Sequence, residues 1–222
     1  MKKRPSLQPE RIEALSFEII AGLLPDLDQA APEWPVVQRI VHTTGDPSIA
    51  GLLRIHPKAV ESGVRALRAG HTIITDVKML AAGINRKLAD RLGCEVVCAI
   101  DDPSAVELAQ ERGITRGAAA MIHLRSRIPD AVVAIGNAPT ALFALLDSLE
   151  DRLAPPALIV GTPVGFVGAA ESKAELVQLT PPVPYITVEG TRGGSTIAVA
   201  TVNALLRLAV KESPASTPEH VT

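Results

Sequence analysis

Ala131-Val-Val-Ala-Ile-Gly136-Asn137-Ala-Pro139-Thr140-Ala-Leu-Phe143 decides the fold. A short run of apolar residues fits a fully buried strand, Gly136 opens a turn, and the apolar-rich segment after Pro139 reads as a helix. Glycine permits close approach, asparagine suits a helix cap, and proline fits a first helical turn. The pattern recurs at Ala157-Leu-Ile-Val-Gly161-Thr-Pro-Val-Gly165-Phe-Val-Gly168-Ala-Ala-Glu171-Ser-Lys173. A strand entering a helix through a glycine-rich turn is how an α/β protein builds a pocket for an anion from backbone N–H groups. The Gly136 turn alone reads equally as an ordinary connection or as a ligand contact. Neither segment carries G-x-G-x-x-G or a Walker A pattern, which disfavours a nucleotide-binding domain.

Working outward, further branched segments lie at Thr72–Asp76, Glu95–Ile100 and Tyr185–Glu189. Helical periodicity fills Ala105–Arg112, Thr115–Arg127, Thr140–Leu153 and Ser195–Val210. Apolar strands alternating with helices predict an α/β, three-layer sandwich: a mostly parallel sheet with helices on both faces. Helices are also expected before the first confident strand. One spans Glu10–Leu23, with Ile12, Leu15, Ile19 and Leu23 on one face. The next spans Glu33–Thr44, with Pro35 near its start and Gly45 as its C-cap, and a third begins around Pro57 and stops at Gly70. Residues 1–210 are expected to form a single domain, and Lys211–Thr222, aperiodic and rich in Pro, Ser and Thr, a mobile tail.

Composition narrows the function. At 222 residues the chain has a formal net charge of −2 and scattered basic residues, unlike a surface that tracks nucleic-acid phosphates. Aromatic residues make up only 2%, too few for a base-stacking platform. No apolar run reaches the roughly 18 residues of a membrane span. Met1-Lys-Lys-Arg4 resembles the start of a signal peptide, but Gln8, Glu10, Arg11, Glu13 and Glu18 interrupt any apolar stretch after it, so the expected location is cytoplasmic. Cys94 and Cys98 have neither redox nor zinc spacing and are expected as free thiols. His56, His71 and His123 are isolated from other metal-ligand types, so no metal site is expected.

In the second helix Val37, Ile40 and Val41 define a buried stripe, which puts Gln38, Arg39 and His42 on the other side. Residues three apart are neighbours on a helix surface, so Arg39 and His42 project toward one region. Histidine exchanges a proton near neutral pH, and a guanidinium can hold a carboxylate through paired hydrogen bonds. On spacing alone, His42 also reads as a residue favourably placed against the helix dipole. Ser16 reads as a boundary residue of its helix, and Arg192 either as an anion contact or as a solvated group.

Together these segments resemble the precorrin-8X methylmutase family. The resemblance rests on the two glycine segments, on Arg39-Ile-Val-His42-Thr-Thr-Gly45, on Thr115-Arg116-Gly-Ala-Ala119 and on Arg192-Gly-Gly-Ser195, and it runs from about Ser16 to Leu206. The chain carries Thr43-Thr44 where that family often has Ala-Cys. The resemblance implies an isomerase of cobalamin biosynthesis. Its reaction converts precorrin-8X to hydrogenobyrinate, or the cobalt-containing counterpart, by a 1,5-sigmatropic methyl shift from C-11 to C-12. It also implies His42 as the catalytic acid/base, and Arg39 and Ser16 as substrate contacts. Asp76, Gly83, Ile84, Arg116 and Asn137 complete the expected substrate-binding set. No cofactor or metal is expected. The expected partners are the tetrapyrrole substrate and product and a second copy of the chain, in a homodimer with active sites at the interface. A non-catalytic corrinoid carrier is the alternative; it would keep the glycine turns and arginines without needing the acid.

Overall fold

In the computed structural model, which describes residues 8–212, the strands are β1 (Leu53–Ile55), β2 (Ile73–Thr75), β3 (Val96–Val97), β4 (Val132–Ile135), β5 (Leu158–Gly161) and β6 (Tyr185–Val188). They form one sheet in the order β1-β6-β5-β4-β2-β3. All neighbours pair in parallel except β1, which runs antiparallel to β6 with Leu53 opposite Val188 and Ile55 opposite Ile186. The strand β1 is absent from the sequence reading because three residues, one of them Arg54, are too short to show a period. The expected strand over Glu95–Ile100 shrinks to β3 at the sheet edge, where its residues are only half-buried.

The helices are α1 (Pro9–Leu23), α2 (Trp34–Thr44), α3 (Ala59–Arg68), α4 (Lys78–Gly83), α5 (Arg86–Arg91), α6 (Pro103–Arg112), α7 (Arg116–His123), α8 (Pro139–Glu150), α9 (Ala169–Gln178) and α10 (Ser195–Glu212). The expected helix over Thr115–Arg127 ends at His123 and continues as a 3₁₀ turn over Arg125–Arg127. The last helix reaches two residues into the segment expected as a tail; the rest of that segment lies outside the described residues.

Successive strand residues feed two cores. Ile73, Val132, Ala134, Leu158, Val160, Ile186 and Val188 pack with Ile40, Leu67, Val202 and Leu205 from α2, α3 and α10. Ile74, Val133, Ile135 and Ile159 pack with Met121, Leu142, Leu145 and Leu176 from α7, α8 and α9. A sheet covered on both faces needs apolar side chains at every position, which is why these strands read as continuous apolar runs.

The first helix departs from a core-facing reading. Its regular stripe is exposed: Ile12 by 49%, Leu15 by 43%, Ile19 by 55% and Leu23 by 56%. Ile20 is buried instead, with Phe17, Ala21 and Leu24 packed beside it. The helix carries two apolar stripes, and a single chain covers only one of them.

The parallel pairing of β2 to β6 brings their carboxyl ends to one edge. The segments starting at Asp76, Gly136, Thr162 and Glu189 therefore gather there, where open α/β sheets form their ligand crevices.

Candidate active site

The first cluster is built by α1 and α2. The stripe of α2 is buried at Val36, Val37, Ile40 and Val41, and Gly45 closes the helix in the left-handed region (φ 64°), its N–H bonded to the Val41 carbonyl at 2.9 Å. His42 is thus held in the last turn with its ring toward α1. Its Nδ1 lies 2.8 Å from Ser16 Oγ, and the Phe17 ring meets the imidazole edge-on at 5.6 Å between centroids. Phe17 also lies under Arg39, whose guanidinium carbon is 4.7 Å from the ring centroid. Arg39 Nη1 donates to Glu13 Oε1 at 2.6 Å, and this bond is the main cause holding the Glu13 carboxyl below its ordinary value.

Glu13 and Phe17 escaped the sequence reading, but a signal for the pairing exists. Glu13 and Ser16 are three apart on α1, as Arg39 and His42 are on α2, and both pairs span 26 residues of sequence. Two helices carrying complementary groups at the same spacing can lock side by side.

The second cluster lies at the carboxyl edge of the sheet. Asp76 is fully buried at the end of β2. Its Oδ1 accepts from Gly136 N at 3.2 Å, and its Oδ2 from Asn137 N at 2.8 Å and Ala138 N at 2.9 Å. The anion held by this glycine turn is therefore the protein's own carboxylate. Asp76 exposes no surface to a ligand, so its contribution to the site is to hold the turn that presents Asn137, whose side chain is exposed. Burial raises the Asp76 carboxyl above its ordinary value, opposed by the same backbone N–H groups. Gly136 is explained by packing: a Cβ there would sit 2.6 Å from Ser195 Cα at the start of α10.

Around this turn Asp101 joins two cations, accepting from Lys78 Nζ at 2.5 Å and from Arg116 Nη1 at 3.3 Å. Arg116 is the first residue of α7, and Thr115 before it caps the helix and bonds Thr140 across the turn at 2.7 Å between hydroxyls. Of the remaining expected contacts, Gly83 is exposed at the end of α4, its carbonyl accepting from Asn203 Nδ2 at 3.0 Å. The Ile84 side chain is committed to the core at 2% exposure. Six of the eight expected site residues thus fall into two groups: Ser16, Arg39 and His42 between α1 and α2, and Asp76, Asn137 and Arg116 at the sheet edge.

Arg192 is partnered although its side chain is 41% exposed. Its guanidinium pairs with the Asp46 carboxylate and donates to Ser48 Oγ at 3.2 Å. Bonds from Ser48 and then from Arg192 pull the Asp46 carboxyl down to about 2 from an ordinary 3.8. A lowered carboxyl supports the fold above the ordinary value, and that support is lost as pH falls toward 2.

Among the described residues no group of His, Cys, Asp and Glu could hold a metal ion, and no helix is long and apolar enough to cross a membrane. Cys94 and Cys98 are unpaired; the Cys94 thiol is buried, which pushes it up to about 11. A cleft of about 590 Å³ on α3, lined by Val60, Arg65 and Arg68, contains none of the expected site residues.

Known proteins resemble this chain over most of its length. The family model described as precorrin-8X methylmutase matches residues 11–208. A cobalt-precorrin-8 methylmutase of Priestia megaterium is 40% identical over 207 residues, covering 92% of this chain and 90% of its own. A precorrin-8X methylmutase of Pseudomonas aeruginosa is 44% identical over 186 residues, covering 84% and 86%. The crystal structure of a precorrin-8X methylmutase from Thermus thermophilus superposes with a TM-score of 0.82 at 38% identity, covering 90% of this chain and 98% of that one.

Proposed function

The chain belongs to the precorrin-8X methylmutase family, and from that premise we propose that His42 is the acid that drives its methyl migration. The protein is a methylmutase of cobalamin biosynthesis, an isomerase acting on a corrinoid. The observation that carries the assignment to His42 is the 2.8 Å bond between Ser16 Oγ and His42 Nδ1. Nδ1 is occupied by the serine hydroxyl, so in the protonated ring, where both nitrogens carry N–H, Nδ1–H donates to Ser16 Oγ and Nε2–H is the proton left for the substrate; its transfer leaves a neutral imidazole.

In this reading Nε2 protonates the macrocycle, the methyl group shifts from C-11 to C-12 within the same molecule, and the proton returns to the imidazole. No atom enters or leaves. Proton transfer supplies part of the rate, and a fixed ring conformation supplies the rest. Arg39 binds a carboxylate arm of the substrate in exchange for Glu13, while Arg116 and Asn137 meet arms at the sheet edge. Asp76 holds the edge turn in shape. Gly83 lends exposed backbone, and Ile84 anchors the neighbouring segment in the core.

The test is an absorption spectrum of the purified protein followed over time with precorrin-8X, then with cobalt-precorrin-8. A new stable spectrum matching hydrogenobyrinate, or the cobalt product, after acid release is expected. Prompt binding with unchanged tetrapyrrole recovered from both would point to a carrier instead.

The active unit in this proposal is a homodimer. The exposed stripe of Ile12, Leu15, Ile19 and Leu23 continues to Leu27, 39% exposed, and borders Ser16 on the same helix. A second copy seated on this stripe removes apolar surface from water beside His42. Ile19→Asp is expected to convert the dimer to monomers in light scattering and to abolish most turnover, whereas a wild-type monomer active at assay concentration would overturn the assignment. A cytoplasmic location suits the two unpaired cysteines.

A further inference from the structure

Among the described residues Lys173 is the largest fully buried charged side chain, 1% exposed on α9, and the methyl shift makes no use of it. Its ammonium donates to the Arg192 carbonyl at 2.6 Å. That carbonyl lies in a turn clamped from other sides as well. Gly194 N donates to the Thr162 carbonyl at 2.8 Å, and Gly165 N donates to the Thr191 carbonyl at 3.1 Å. Gly193 backs so closely onto the loop after β5 that a Cβ would lie 2.4 Å from the Thr162 oxygen and 2.5 Å from that of Pro163.

The side chain of Arg192 leaves this clamped turn and crosses to the end of α2. There it pairs with Asp46 and donates to Ser48, as described above. Asp46 follows the C-cap Gly45 directly, four residues after His42, and its carboxylate also accepts from Ser48 N at 2.8 Å. A continuous strut thus runs from the buried ammonium through the Arg192 carbonyl, the Arg192 guanidinium and the Asp46 carboxylate to the last turn of α2.

We propose that Lys173 is a positioning residue for His42, setting the imidazole through the Arg192–Asp46 strut. This rests on the reading of His42 as the acid. Burial pulls the ammonium down to about 8, so the folded state keeps this charge at a disadvantage near neutral pH. A lysine retained there against its own desolvation, with a single backbone carbonyl described as its acceptor, is consistent with a task other than stabilising the core.

The experiment compares Lys173→Met, Asp46→Asn and the double variant in the full chain, by steady-state kinetics and by the NMR signal of the His42 Cε1 proton. Methionine keeps the length of the side chain and removes the charge, so melting temperature at pH 7 is expected to hold or rise. Asp46→Asn cuts the strut at the surface and remains informative should Lys173→Met fold poorly. Each single variant is expected to lower kcat about 10- to 100-fold with KM changed less than about twofold, as for a slightly misplaced acid. Both are expected to move the His42 signal in the same direction, and the double variant to go no further than the stronger single one. Additive losses, or a His42 signal that stays in place in both single variants, would overturn the proposal. The NMR arm keeps it separable from its premise: if His42→Ala turns over normally, His42 is not the acid, while the mechanical link still stands or falls on the signal.

Discussion

His42→Ala is expected to lower kcat by about 10² to 10⁴, the span over which a positioned acid contributes, while the macrocycle still binds. The geometry explains why the loss falls on turnover. His42 is exposed, its Nδ1 is engaged by Ser16, and Phe17 packs edge-on against its ring, so the remaining nitrogen is the one presented to a ligand. The groups proposed to answer the carboxylate arms, Arg39 and Arg116, pair with Glu13 and Asp101 and are untouched by the substitution. Removing an exposed imidazole leaves only the Ser16 hydroxyl without its partner, and water can replace it, so stability is expected to change by less than about 0.5 kcal/mol. Single-turnover kinetics separate the steps: binding seen as a prompt spectral change, followed by a slow or absent second phase. A variant that binds and turns over as the wild type does would remove His42 from the chemistry.

The largest effect on stability is expected from Asp76→Ala. The substitution strips the acceptor from the N–H groups of Gly136, Asn137 and Ala138 at once, and the first of these residues is buried. Water can reach Asn137 but not all of them, so the loss is expected at about 2–4 kcal/mol, since an unmet buried donor costs on the order of 1–3. For a chain of this size that is a fall in melting temperature of roughly 5–15 °C.

The pH dependence carries a further signature. The Asp76 carboxyl is raised above its ordinary 3.8, so the folded state holds the proton more tightly than the unfolded one. Its contribution to stability is therefore greatest below the ordinary value and declines as pH rises through the folded one. The gap between wild type and Asp76→Ala is expected to narrow across that window. Activity is expected to fall as well, because the turn presenting Asn137 would lose its brace. A melting temperature unchanged within a degree would mean that the turn holds its shape without the carboxylate.

Part of the candidate site was legible because it lies within one element. The relation of Arg39 to His42 follows from helix geometry, and Gly45 as a C-cap follows from the need for a left-handed residue there. The partners of those residues, Ser16 and Glu13, reach them from another helix, and the matching three-residue spacing on α1 is a trace too faint to name the pairing before the two helices are seen together. The glycine turn after β4 reads from its sequence equally as an ordinary connection or as a ligand contact, and nothing local names Asp76, 60 residues away, as the group it holds. The stripe of α1 was visible as a period, yet a period alone does not tell which side the rest of the chain covers.

The sequence by itself determined the layered α/β class, the main strands with their glycine turns, and the helix that carries His42. These follow from hydrophobic period, turn chemistry and capping, which act over a few neighbouring residues. Only the tertiary structure decided the sheet order, the antiparallel edge strand β1, the exposure of the α1 stripe and the strut from Lys173 through Arg192 to Asp46. The Arg192–Asp46 pair joins residues 146 positions apart, and a bond of that span exists only once the path of the whole chain has brought its ends together.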